Sequence, residues 1–302
     1  MPTKNYTVVG LGELLWDLFP EGKQLGGAPA NFAYMTSLLG DKGIVASRVG
    51  SDALGRSAGR RLERLGIRAS YLQIDDVLAT GTVKVIVDAN GQASFEIADA
   101  AAWDFLEWTA GWQSLAEQAD AVCFGSLAQR SPQSRETIRL FLGAMRATAT
   151  RILDVNLRQR FYSAETLSES AQLADIIKLN HDELPVVVQL LGFPFHDEES
   201  AAQWLRHTYG SKLVCVTRGS KGSLLVGEYA TEEHSGCAVE VVDTVGCGDA
   251  FTAALVYHYL RGASLSTMSE AANRMGAWVA GQAGATPARD NYYLEQIRSA
   301  GA

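Results

Sequence analysis

A run near the end of the chain, Asp243-Thr244-Val245-Gly246-Cys247-Gly248-Asp249, holds the residue types that phosphoryl chemistry needs. Two glycines around one small residue allow a tight turn whose backbone N–H groups point outward. The apolar stretch that follows reads as a helix, and its positive dipole end adds to those groups. Together they would form a cup for an anion that gains charge as it transfers. Asp249 sits at the mouth of that cup. A bound phosphate repels a carboxylate there, unless the carboxylate's task is to take a proton from an attacking hydroxyl. Gly246, Cys247, Gly248 and Asp249 are therefore candidate catalytic residues. Taken alone, the same run is also an ordinary turn before a helix start. A thiol at that helix start predicts a lowered pKa and a reactive Cys247.

A second run, Gly26-Gly27-Ala28-Pro29-Ala30-Asn31, lies near the other end. Its glycines permit close approach of a ligand, Pro29 suits a first helical turn, and the Asn31 amide could bind hydroxyls. A capped loop-to-helix junction explains it equally well. Two other phosphate motifs are absent. No GxxxxGK[ST] occurs, and Gly10-Leu11-Gly12-Glu13-Leu14-Leu15 lacks the third glycine of a dinucleotide fingerprint.

The elements around these runs alternate. Residues 6–10 and 44–49 read as strands, and 28–39 and 53–65 as helices, which points to a parallel sheet. Residues 81–88 and 93–97 read as a hairpin turned at Asn90-Gly91, an antiparallel insert that can serve as a lid. Alternation resumes near Trp112. Strands are expected over 121–124, 151–155, 176–179, 213–217, 223–226 and 238–242. Helices are expected over 132–147, 163–174, 182–191 and 198–209, with two more, 248–260 and 267–280, closing the chain.

The 302 residues suit one large or two modest domains. Lys plus Arg is 26 against Asp plus Glu 34, a net charge of −8, which argues against nucleic-acid or anionic-membrane binding. The four cysteines form no CxxC pair, and three sit in apolar, strand-like surroundings as core thiols. No leader peptide and no run of 18 apolar residues is expected, so a reducing, cytoplasmic setting is the expectation.

Taken together, the two runs resemble the signatures of the PfkB, or ribokinase-like, carbohydrate kinases, the second usually written DTxGAGD. Cys247 stands where the family mostly has Ala. The resemblance implies a ribokinase-like α/β three-layer sandwich around a mainly parallel sheet. It further implies one domain over 1–302, with β-lid segments at about 11–25 and 73–103. It implies an ATP-dependent sugar kinase using ATP and Mg²⁺, with K⁺ as a monovalent cation. Asp249 would be the base, and Arg158, in Asp154-Val155-Asn156-Leu157-Arg158, would face the cleft. Asp17, Gly26, Gly27 and Asn31 would bind the sugar. Thr217, Gly219 and Gly222 of the VTxGxxG turn, with Asn273, would bind the nucleotide. Asn180 and Glu183 of an NxxE motif would place Mg²⁺ through water. Asp243 and the loop over 281–287 would hold the monovalent cation.

The stretch 13–20, the run Phe124-Gly125-Ser126-Leu127-Ala128 and the Gly-Gly-Ala-Pro-Ala-Asn run look most like fructokinases. Ala28 stands where phosphosugar kinases tend to have Lys, which favours a free sugar. Phe95 or Trp103 would cover that sugar or pack in the lid or core. The alternatives are another acceptor (ribose, 2-keto-3-deoxygluconate or a nucleoside) or a catalytically silent sugar-binding regulator on the same fold. A homodimer through the lid face is a further implication.

Overall fold

Strands that are apolar on both faces must be covered on both. The computed structural model describes residues 4–20, 22–87 and 93–301, with backbone alone at 85–87 and 93–95. Its strands are β1 (Thr7–Leu11), β2 (Leu15–Phe19), β3 (Gly22–Gly26), β4 (Lys42–Gly50), β5 (Leu72–Asp75), β6 (Gly81–Val87), β7 (Ala93–Ile97), β8 (Ala121–Phe124), β9 (Thr150–Asp154), β10 (Ile176–Asn180), β11 (Leu213–Thr217), β12 (Ser223–Gly227) and β13 (Thr231–His234). Its helices are α1 (Ala28–Leu38), α2 (Ala53–Arg64), α3 (Ala110–Gln118), α4 (Pro132–Ala144), α5 (Ala164–Leu173), α6 (Glu183–Leu190), α7 (Glu198–Tyr209), α8 (Cys247–Tyr259), α9 (Leu265–Ala280) and α10 (Asn291–Arg298).

Nine strands form one sheet in the order β13-β12-β11-β10-β9-β8-β1-β4-β5. From β11 to β5 every neighbouring pair is parallel, and β12 and β13 add an antiparallel edge. Alternate strand residues feed two cores, one on each face. Val9, Leu153, Ile177 and Val214 pack with Trp112, Phe141, Leu167 and Leu205. Val8, Ile152, Ile176 and Leu213 pack with Phe32, Ala254, Met275 and Ile297. The chain leaves β1 towards β4 on one side and later returns to β8 on the other. Direction thus switches between β1 and β8, where open α/β sheets place ligands beyond the strands' carboxyl ends.

A separate four-stranded sheet, β3-β2-β6-β7, stands beside that end. Its β6–β7 pair is the expected hairpin. The Asn90-Gly91 turn lies outside the described residues. The segment expected as 73–103 is divided, because β5 joins the large sheet against β4. Trp103 is a core residue, fully buried, with the Arg130 guanidinium 4.1 Å over its ring, so it does not face a ligand.

Residues 238–242 form no strand. Val239, Val241 and Val242 are exposed, and the sheet edge is taken by β13 instead. Apolar composition suggested a strand there, but no neighbouring strand pairs with it. Cys123 and Cys215 are buried in strands as expected, whereas Cys237 is half-buried in a loop. A third helix, α10, follows the two expected at the end of the chain.

The sheet meets α1 at one backbone contact. A Cβ at Gly10 would lie 2.0 Å from the Pro29 carbonyl oxygen, so strand and helix can approach this closely only with glycine there. Gly10→Ala is expected to cost roughly 3 kcal/mol, the upper end for overpacking a tight core. Urea denaturation checks this, and an unchanged midpoint would mean that the strand–helix contact yields without strain.

Candidate active site

Two helix N-termini converge at the carboxyl end of the sheet. The first belongs to α1, whose N-cap Gly27 has φ 108° and no side chain to cap with. A Cβ there would lie 2.6 Å from the Glu13 carbonyl oxygen, and one on Gly26 would lie within 2.3 Å of Asp17 Oδ2. Glycine is needed at Gly27, where a positive φ and a backbone contact coincide, whereas at Gly26 the close atom is the movable end of Asp17. Pro29 fills the first turn. Asn31, one turn in, is 5% exposed and donates from Nδ2 to Asp249 Oδ2 at 2.8 Å. That bond joins the two sequence runs across 218 residues.

The second N-terminus belongs to α8. Gly246 is its N-cap in the left-handed region, φ 80°, where a Cβ would lie 2.6 Å from the Ala285 Cβ. The first helical bond runs from Ala250 N–H to Gly246 O. The N–H groups of the preceding residues therefore have no partner within the helix. One correction applies to the expected cup: the Cys247 N–H makes a long 3.3 Å bond back to Thr244 O within the turn. Asp243 fixes the approach to this turn. Its Oδ1 accepts from Val245 N–H and its Oδ2 from Gly284 N–H, each at 3.0 Å, tying the loop after α9 to the turn.

Beneath the α8 turn lies a buried ammonium. Lys178 Nζ is 3.1 Å from both oxygens of Asp154, and Lys178 and Asp154 are partners in the β10–β9 register. Burial alone would lower the Lys178 pKa, but Asp154, Glu183 and Asp249 outweigh it and hold the ammonium charged. Thr252 donates to Gly248 O at 2.9 Å and lies 3.1 Å from Asp154 Oδ2, linking helix to pair. A Cβ on Gly248 would lie 3.0 Å from Lys178 Nζ, so a small residue is needed there too.

Carboxyl groups crowd this region. Asp249 is half-buried, and desolvation and then Asp154 push its pKa up to about 6, against Asn31, Lys178 and Arg158. Asp17 on β2 is raised to about 6 by burial, with Arg158 opposing. Glu13 is raised to about 7 by burial, opposed by nearby backbone N–H groups and Arg158. Arg158 itself is exposed, yet its charge reaches all three. Cys247 departs from the expected lowering: burial first, then Asp243 and Asp249, raise its pKa to about 11.

Glu183 is buried, with Oε1 accepting from Leu157 N–H and Oε2 from Asn180 N–H, both at 2.8 Å. Burial raises its pKa despite Lys178. Asn180 Oδ1 accepts from Asp182 and Glu183 N–H in return. These two residues therefore lock the start of α6 beside the end of β9. Thr217 ends β11, and Gly219 (φ 59°) and Gly222 (φ 86°) make the turn into β12. Asn273 on α9 reaches the residue that follows this turn. Its amide donates to Ser223 Oγ and Ser269 O, each at 2.8 Å, pinning α9 to β12.

Glu13 and Lys178 were not singled out among the candidate residues. Lys178 could have been found as the one charge inside the apolar run Ile176-Ile177-Lys178-Leu179. Glu13 could have been found as a lone carboxylate between a buried strand and Leu14-Leu15.

A family model described as pfkB family carbohydrate kinase matches residues 20–291. A fructokinase of Vibrio alginolyticus is 30% identical over 297 residues, covering 92% of this chain and 94% of that protein. An uncharacterized sugar kinase of Pyrococcus horikoshii, solved in complex with ATP, has a TM-score of 0.81 at 27% identity, covering 96% of this chain and 99% of that one. A double mutant of Vibrio cholerae fructokinase, with fructose, ADP and potassium ion bound, has a TM-score of 0.81 at 25% identity over 98% of each chain. The fold is of the ribokinase-like α/β class.

The raised Asp249 pKa has a consequence for stability. The folded protein binds this proton more tightly than the unfolded chain does, so raising the pH from about 4 to about 6 costs stability at this residue. Asp249→Asn removes that cost while keeping the shape. The variant should gain on the wild type by roughly 1–3 kcal/mol as pH rises from 4 to 7. Denaturation at both pH values tests it, and a flat or reversed difference would rule out a raised pKa.

Proposed function

Because the chain belongs to the pfkB family of carbohydrate kinases, we propose that it transfers the γ-phosphate of ATP to a hydroxyl of a free sugar, with fructose as the preferred acceptor. The observation that carries this reading is the placement of Asp249. Its carboxyl is oriented by Asn31 within the first turn of α8, next to backbone N–H groups with no helical partner. A proton acceptor and an anion-stabilising helix end thus lie one residue apart.

Asp249 takes the proton of the attacking hydroxyl. Its pKa of about 6 leaves it mostly ionised at neutral pH yet basic enough to accept that proton. The N–H groups of Gly246 and Gly248 stabilise charge on the transferring phosphoryl, with Cys247 keeping the turn small. Arg158 adds positive charge from the exposed side. Asp17 and Asn31 hold sugar hydroxyls above the turn made by Gly26 and Gly27. ATP lies along the turn of Thr217, Gly219 and Gly222, with Asn273 shaping the wall behind. The four-stranded sheet acts as a lid on the single α/β domain and keeps water from the phosphoryl group.

Among the described residues no cluster of three or more acidic, thiol or imidazole groups is arranged to cage a metal. Both Glu183 oxygens accept backbone N–H bonds. This donor set fits Mg²⁺ carried by the nucleotide phosphates, with Glu183 and Asn180 meeting its waters. When bound, the ion would draw charge from the phosphates. Asp243 and the loop it holds would take K⁺.

Free fructose is supported by the Vibrio fructokinases named above and by Ala28 at the helix start. Asp249→Asn is expected to lower kcat by about 10²–10⁴-fold with the sugar KM largely kept. A variant that keeps more than about a tenth of wild-type turnover, with chemistry rate-limiting, overturns the assignment of the base. Wild-type kcat/KM should fall as pH drops through about 6, since the base must be ionised. ADP release measured with fructose, ribose, glucose, 2-keto-3-deoxygluconate, adenosine and fructose 6-phosphate identifies the acceptor. Fructose should give the highest kcat/KM, and a preference for fructose 6-phosphate would replace the free-sugar reading.

A further inference from the structure

Glu13 follows β1 at the point where the sheet order switches. Its residue is 4% exposed, and Oε2 is buried with no hydrogen-bond partner. Such an atom is rare in folded proteins and calls for a specific explanation. Nearby backbone N–H groups of Glu13 and Ala28 favour the charged form, but Oε2 itself has no partner. Glu13 lines a small cavity of about 10 Å³ with Phe124, Ser126, Asn156, Asp154 and Asp249. That is room for about one water-sized polar group.

The chemistry of the unpartnered atoms is one-sided. Glu13 Oε2 and Asn31 Oδ1 are both buried oxygens with no donor. Both sit on residues tied to Asp249: Asn31 by its hydrogen bond, Glu13 by the shared cavity. Above about pH 7, where Glu13 is ionised, its carboxylate can only accept hydrogen bonds, as can the Asn31 amide oxygen. They call for a ligand rich in O–H donors, and a polyol is such a ligand.

We propose that Glu13 is an acceptor-binding residue, whose free carboxyl oxygen accepts a hydrogen bond from a hydroxyl of the sugar other than the one phosphorylated. It thereby selects acceptors that carry hydroxyls on neighbouring carbons. This rests on the kinase reading. The charged groups facing Glu13 are Asp249 on α8, Asp154 at the end of β9 and Arg158 beyond it.

The test uses the whole enzyme, the preferred sugar and its monodeoxy analogues. Glu13→Gln keeps size but weakens the acceptor. It should raise the sugar KM about tenfold and leave the ATP KM unchanged. One monodeoxy sugar that is poor for the wild type should lose most of its penalty in the variant, since the missing hydroxyl has no strong partner left. The wild-type sugar KM should also rise as pH falls through about 7, where Glu13 takes up a proton, and in Glu13→Gln the onset should move down to about 6, where Asp17 takes up its own.

If Glu13→Gln does not fold, Glu13→Asp, which keeps the charge but shortens its reach, is read in the same way. An unchanged sugar KM overturns the proposal, as does an equal rise in both KM values with every deoxy penalty kept. If the wild type phosphorylates no sugar, the kinase reading fails and takes this inference with it. Wild-type turnover with an unaffected variant removes only the role of Glu13.

Discussion

The buried ammonium of Lys178 is what lets several carboxylates share the carboxyl end of the sheet. Asp154, Glu183 and Asp249 all act on it, and it is paired directly with Asp154. Without a cation there, neighbouring carboxylates would protonate or the site would open to water. Its place depends on strand register. Ile177 and Leu179 enter one core and Ile176 the other, so Lys178 points towards α8. A slip of one residue would send the charge into the opposite apolar layer.

Around that cation, the backbone does much of the work. Gly10, Gly27, Gly246 and Gly248 stand where a Cβ would strike Pro29, Glu13, Ala285 or approach Lys178. Each removes a side chain so that two helix N-termini can face the same small space. Their positive ends favour anions there, the carboxylate of Asp249 among them. The hydrogen bond from Asn31 to Asp249 Oδ2 then ties the two helix starts together.

The same crowding explains why single-residue rules fail here. A helix N-terminus lowers a thiol pKa when little else acts on it. At Cys247 burial comes first and two carboxylates add to it, so the thiol is pushed up to about 11. Asn273, expected on the nucleotide side, has its amide donors engaged by Ser223 and Ser269, which join α9 to β12.

Local patterns were readable from the chain alone. Apolar runs of strand length alternating with helical spacing gave the parallel sheet, and the change of period at 81–97 gave the β6–β7 hairpin. The two glycine-rich runs pointed to Asn31 and Asp249, because turn chemistry is written in adjacent residues. Residues 238–242 had the composition of a strand but not its outcome, since a strand exists only where another can pair with it. The pairing of Lys178 with Asp154, the unpartnered oxygen of Glu13 and the sign of the Cys247 shift were decided by the tertiary structure. Charge compensation and desolvation are sums over neighbours in space; Asp243 and Asp249 lie close to Cys247 in sequence, but the burial of that thiol and the other neighbours come from elements far apart in the chain.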